Sequence, residues 1–202
     1  MSEPAALMRP YRPSDRAALG EVCVRTADAG GDATGLLGDD ELWPELFLYP
    51  YVDRHPDLAL VVESGGRAAG YIVCAPDTTA FETWFRDTWW PPRAARFPDP
   101  GDRPGREADL LRYAHRRGPE DQPHLAAHPA HLHIDLLPEL QGQGWGRRLV
   151  ETLLDALRER GVPGVHLAAD PANTGALAFY PRLGFTRVES ARDSAVFVRA
   201  LR

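Results

Sequence analysis

Between positions 149 and 157, apolar residues fall at Leu149, Val150, Leu153, Leu154 and Leu157. Steps of one, three and four residues place them on one stripe of an α-helix. Arg158 and Arg160 suit the negative end of its dipole, and Gly161 suits the residue that closes it. Upstream the period changes to two. Leu132, Ile134 and Leu136 fall on one face of a strand, and His131, His133 and Asp135 on the other. Apolar runs at 58–62 and 68–74, joined through Gly65-Gly66, predict an antiparallel hairpin. Residues 6–11 predict a first strand ending before Pro13. Ser14-Asp15 offers an N-cap to a helix carrying Leu19, Val22 and Cys23, which fades before Gly30-Gly31. Further strands are predicted at 165–169, 186–190 and 195–201. Strands interleaved with helices predict an α/β (α+β) fold.

Other segments are less regular. Residues 28–40, rich in Gly and Asp, read as a flexible loop. Residues 43–52 are aromatic and broken by Pro44 and Pro50, as a short pocket-lining helix or a satellite core would be. Residues 76–130 are long for a connection in a compact domain. They carry the aromatic cluster Phe81, Trp84, Phe85, Trp89 and Trp90, within 78–92, and a helix over 107–117. This insertion reads either as the wall of a substrate pocket or as a patch that is structural or forms a homodimer.

Composition narrows the class. The chain has 202 residues, 44% hydrophobic and 26% charged, which suits one domain spanning 1–202. The formal net charge of -6 argues against a nucleic-acid partner. Cys23 and Cys74 form no CxxC pair and read as buried thiols. Neither a secretory signal nor an apolar run long enough to cross a membrane is visible, so a cytoplasmic enzyme is the expectation.

The candidate chemistry lies between the alternating strand and the striped helix. There the chain reads Gln141-Gly142-Gln143-Gly144-Trp145-Gly146-Arg147. A glycine loop opening a helix offers free backbone N–H groups and a positive dipole end, which bind an anion such as pyrophosphate. A Walker loop needs Lys, and the chain has none. The dinucleotide fingerprint needs GxGxxG, and the spacing here is GxGxG. The loop does fit [Gln/Arg]-x-x-Gly-x-[Gly/Ala]. Downstream, 173–185 reads NTGALAFYPRLGF, fitting Asn-x-x-Ala-x-x-φ-Tyr-x-x-φ-Gly-Phe, where φ is apolar. Asn173 would cap the helix, and Pro181 would kink its last turn.

With these two motifs in this order, the chain resembles the GNAT superfamily of acyl-CoA N-acyltransferases. The resemblance implies a mixed, mostly antiparallel sheet flanked by helices, with a splayed central strand pair. It assigns the pyrophosphate of acetyl-CoA to Gln141, Gly142, Gln143, Gly144, Trp145, Gly146 and Arg147. It assigns the pantetheine arm to the backbone of Leu136 and Leu137, with Asn173 beside it. Tyr180 would protonate the leaving thiolate. The Asp/Gly-rich loop, Pro50-Tyr51, the Pro56-Asp57-Leu58-Ala59 stretch and the aromatic insertion also look like the acetyltransferase-like C-terminal domain of O-GlcNAcases. On that comparison the chain is a stand-alone bacterial-type relative without room for a glycosidase domain, and it departs from the animal domains by keeping an intact loop.

The base is left open between Asp135, one residue before the acetyl-binding backbone, and His133, whose intrinsic pKa is better matched. The expected function is acetyl transfer from acetyl-CoA to an amine, on a small molecule or a peptide, without a metal. An acetyl-CoA-binding module with weak or lost activity is the alternative. A metal-dependent hydrolase using His124, His128, His131, His133 and Asp135 is a third reading. It is disfavoured because its fourth ligand would come from a proline-broken loop.

Overall fold

A computed structural model describes residues 6–190 and 193–201. Residues 1–5, where a leader was sought, lie outside the described residues. The chain begins with β1 (Leu7–Pro10) and α1 (Arg16–Val24), then two short helices, α2 (Leu42–Phe47) and α3 (Tyr49–Arg54). The hairpin β2 (Leu60–Ser64) and β3 (Arg67–Ala75) follows, then α4 (Thr78–Trp84) and α5 (Arg106–Arg116). Next come β4 (Ala130–Leu136), α6 (Trp145–Glu159), β5 (Gly164–Ala169) and α7 (Thr174–Phe179). β6 (Thr186–Val188) and β7 (Ala195–Ala200) close the chain.

Among the described residues, seven strands form one sheet in the order β1-β2-β3-β4-β5-β7-β6. All neighbours are antiparallel except β4 and β5, which run parallel. That pair meets only at Ala130↔Val165 and His131↔His166. By contrast, β4 stays paired with β3 from His131 to Leu136, and β5 with β7 over its whole length. Beyond His131 the two central strands therefore diverge, and a wedge opens in mid-sheet as the motifs imply.

The strand's two-residue period sorts the layers. Leu136 meets the start of α6, where a Cβ on Gly146 would lie 3.5 Å from it. The opposite face carries His131 and His133, both hydrogen-bonded to Tyr51 of α3. The α6 stripe of Leu149, Val150, Leu153, Leu154 and Leu157 is buried in full. At about 1.5–3 kcal/mol for each such side chain, it is a main anchor for the loop preceding it.

Three local expectations need correction. Ser14 and Asp15 do not cap α1. Asp15 instead accepts from the Arg12 N–H at 2.8 Å and from the Arg9 guanidinium at 2.7 and 2.8 Å, so an ion pair outcompetes the cap. The segment 28–40 is not a free loop: Ala33 and Leu37 are buried, and Glu107 and Arg106 of α5 tie it down through Gly38 N–H and Asp28. Residues 43–52 form two helices rather than one, because Leu48 leaves helical geometry at φ -131° and ψ -61°. A π-helical turn, Phe85–Trp89, continues α4 within the aromatic insertion.

Candidate active site

The wedge and the glycine loop share one rim. Strand parity decides which groups face the wedge. The Leu137 N–H donates to Ala69 O at 3.0 Å, toward β3. Successive residues alternate direction, so the N–H and C=O of Leu136 and Ile134 turn toward β5, where no strand among the described residues meets them. The Leu136 carbonyl receives the Gln141 side-chain amide at 2.9 Å. The Leu137 carbonyl accepts from Leu140 N–H, so both main-chain groups of Leu137 serve the protein itself.

At the loop, Gly142 and Gly144 hold φ of +72° and +83°, and no heavy atom lies within 4 Å of where a Cβ would sit on either. Left-handed backbone of this kind turns successive amides to one side. Among the described residues, the N–H groups of Gly142, Gln143, Gly144, Trp145, Gly146 and Arg147 meet no protein acceptor, and Arg148 N–H is the first to close a helical bond. Gly146 answers a different demand, since a Cβ there would stand 2.9 Å from the Phe179 ring of α7. Trp145 is buried beneath Arg148 and offers only its main chain to a ligand. These features fit a diphosphate followed by an extended amide-bearing arm, which is the chemistry of coenzyme A.

Asn173 caps α7 by accepting from Ala176 N–H at 2.9 Å, which leaves its amide nitrogen for other partners. Pro181 ends the α-helix, and Tyr180 begins a 3-10 turn. The Tyr180 ring packs on Phe179, Phe185 and Phe197, while its hydroxyl meets no partner among the described residues. Burial, and then the charge of Asp135, hold that hydroxyl protonated well above its usual range. Asp135 accepts from the Tyr71 hydroxyl at 2.5 Å. Its carboxyl is raised from the usual carboxylate value, because burial outweighs the hydrogen bonding that pulls it down. Tyr180 and Asp135, 45 residues apart in the sequence, are thus brought within electrostatic reach of each other.

A cavity of about 470 Å³ opens on the His133 face of β4. The insertion supplies one wall through Glu82, Tyr113 and Arg117, and His131, His133 and Tyr51 supply another. Arg117 is buried and forms a two-pronged ion pair with Glu82 at 2.8 and 2.9 Å. Its second terminal nitrogen donates to Leu46 O at 2.7 Å. Sequence reading did not find this pair. The partners stand 35 residues apart in a stretch without periodicity, and nothing local marks them. His131 has both ring nitrogens engaged, by Tyr51 and Thr78, and is not free to ligate a metal. No group of three or more His, Cys, Asp or Glu side chains among the described residues is arranged to hold a metal ion. No helix among them is long and apolar enough to cross a membrane.

Residues 108–185, which contain β4, the loop, α6, β5 and Tyr180, match the model of the Acetyltransferase (GNAT) family. The chain is 44% identical to the crystal structure of SsHAT, covering 98% of this chain and 100% of that one with a TM-score of 0.88. Rat protein O-GlcNAcase is 24% identical over 182 residues, 88% of this chain. This chain spans only 20% of the O-GlcNAcase length. The ribosomal protein bS18-alanine N-acetyltransferase of Escherichia coli K12 is 41% identical over 62 residues, 31% of this chain and 42% of that enzyme.

Proposed function

We propose that this chain, which belongs to the GNAT acetyltransferase family, transfers the acetyl group of acetyl-CoA directly to an amine. The carrying observation is the junction of the unpartnered loop amides with a wedge whose β4 edge is unpaired. In this reading the N–H groups from Gly142 to Arg147 hold the pyrophosphate, and the edge of Ile134 and Leu136 holds the pantetheine arm. Leu137, placed in that edge on sequence grounds, contributes no free main-chain group to it. Gln141 moves off the Leu136 carbonyl when the arm arrives. Asn173 offers its remaining amide N–H.

Bound acetyl-CoA would supply an activated acyl thioester. The residues of the chain supply proton management and position. The Leu136 N–H faces the wedge and polarises the acyl carbonyl. An ammonium acceptor gives its first proton to Asp135, whose raised pKa makes it a better base than an ordinary carboxylate. Tyr180 is kept protonated and donates to sulfur as the C–S bond breaks. The acceptor sits in the cavity beside His133, so the insertion shapes specificity. The setting is cytoplasmic.

Amine-dependent release of free thiol tests the reading. Acetyl-CoA is offered with a lysine peptide, an aminosugar, a polyamine and an aminoglycoside. Release with at least one amine supports transfer. Tight binding without release under any amine would leave a CoA-binding module instead.

A further inference from the structure

Five hydrogen bonds around Tyr51 fix where the protons lie, and that fixes what His133 shows the cavity. The Thr78 hydroxyl has one proton, and its 2.6 Å partner, Pro129 O, accepts only. Thr78 Oγ1 must therefore accept from His131 Nδ1, 2.7 Å away. Burial, aided by the neighbouring charges, keeps His131 neutral, so its Nε2 carries a lone pair. The Tyr51 hydroxyl donates to that lone pair at 2.7 Å. Arg117 donates to the Tyr51 oxygen at 3.1 Å. Tyr51 has no second proton, so at 3.1 Å the His133 Nε2–H must donate to it. Burial and the nearby Arg117 push the His133 pKa down to about 3. A neutral ring protonated at Nε2 bears its lone pair on Nδ1, and Nδ1 meets no partner among the described residues. Phe47, with ring centroids 5.6 Å apart, packs on the His133 ring beside the cavity.

We propose that Tyr51 holds His133 in the Nε2-protonated form, so that His133 Nδ1 accepts the second of the two protons the acceptor nitrogen loses. The step rests on the acyl-transfer reading above and balances with it. As the C–N bond forms and the C–S bond breaks, an ammonium nitrogen sheds two protons in becoming an amide. Asp135 takes the one lost before attack, and His133 takes the one lost as the C–N bond forms. Tyr180 protonates sulfur. One proton returns to Tyr180 and the other leaves to solvent, so the products are amide, thiol and one free proton. His133 is then a catalytic residue, while Tyr51 is a positioning residue acting through it.

Long-range proton–nitrogen correlation spectra of the full chain with ¹⁵N-labelled histidine read the tautomer without any acceptor present. His133 signals are assigned by their loss in His133→Gln. An Nε2-protonated His133 at neutral pH is expected, and an Nδ1-protonated or cationic ring overturns the proposal. The kinetic arm uses the fastest amine of the thiol-release panel. His133→Asn keeps an acceptor oxygen near Nδ1 but takes no proton, so kcat should fall roughly 10²-fold with little change in KM. Tyr51→Phe should mix the His133 tautomers and lower kcat in the same direction, with coenzyme affinity retained. Unchanged kcat in both variants overturns the proposal. If no amine releases thiol from the parent protein, the acyl-transfer reading falls, and the spectrum still decides whether Tyr51 sets the tautomer.

Discussion

At residue scale, the site separates groups that give protons from groups that take them. Tyr180 is kept protonated by its aromatic surroundings and by the charge of Asp135. Asp135 is raised toward a useful base by burial, against the pull of the Tyr71 hydroxyl. The Asp135 shift strengthens it as a base, and the Tyr180 shift keeps its hydroxyl protonated at working pH. Tyr180→Phe removes the donor and keeps the ring that packs on Phe179, Phe185 and Phe197. Thiol release should fall by roughly 10²-fold in kcat. Calorimetric affinity for acetyl-CoA should barely change. A variant that turns over at the parent rate would take Tyr180 out of the chemistry.

At the scale of elements, the glycine loop and the parted strands cooperate. Gly146 lets α6 approach Phe179 of α7, the helix that follows β5. Gly146→Val should force the ring aside, cost about 1–3 kcal/mol in urea unfolding and weaken coenzyme binding as well. Loss of stability with unaltered affinity would mean that the α6–α7 contact does not shape the site. Much of this architecture was legible in the sequence. The stripe of α6, the parity of β4 and the Gly65-Gly66 hairpin are local periodicities, and local periodicity is what a sequence displays. The wedge itself was legible only through the resemblance carried by the two motifs. What stayed hidden depends on distant partners. Asp15 looked like a cap until Arg9 claimed it, and the Asp/Gly-rich segment looked free until Arg106 and Glu107 tied it to α5. The Arg117–Glu82 pair joins two stretches that carry no pattern at all.

At the scale of the whole molecule, one hydrophobic core runs from α1 through the sheet to α6, and the insertion packs onto it through Phe81, Phe85, Trp89 and Trp90. The cost of that arrangement is a set of histidines enclosed between sheet and insertion. His131 lies well below its ordinary pKa, His133 falls to about 3 and His166 to about 4, each chiefly through burial. Their unfolded value is about 6.5, so below that pH the unfolded chain binds more protons than the folded one. Stability should be full above about pH 6.5 and should fall as the pH drops toward 4, each histidine adding up to about 1.4 kcal/mol per pH unit. Asp135, whose pKa is raised, acts in the opposite sense as pH rises through the carboxylate range. Urea midpoints measured between pH 7 and 4.5 check this, and a flat profile would show that these rings are not held neutral.

The centre of the site is a run of main-chain amides that await a diphosphate. The most direct test is a titration of the uniformly ¹⁵N-labelled protein with acetyl-CoA, followed through its backbone amide spectrum. Saturable shifts should be largest at Gly142 to Arg147, with Ile134 and Leu136 responding at the same ligand concentration. Saturation that leaves those amides unmoved, or no saturation at all, would contradict it.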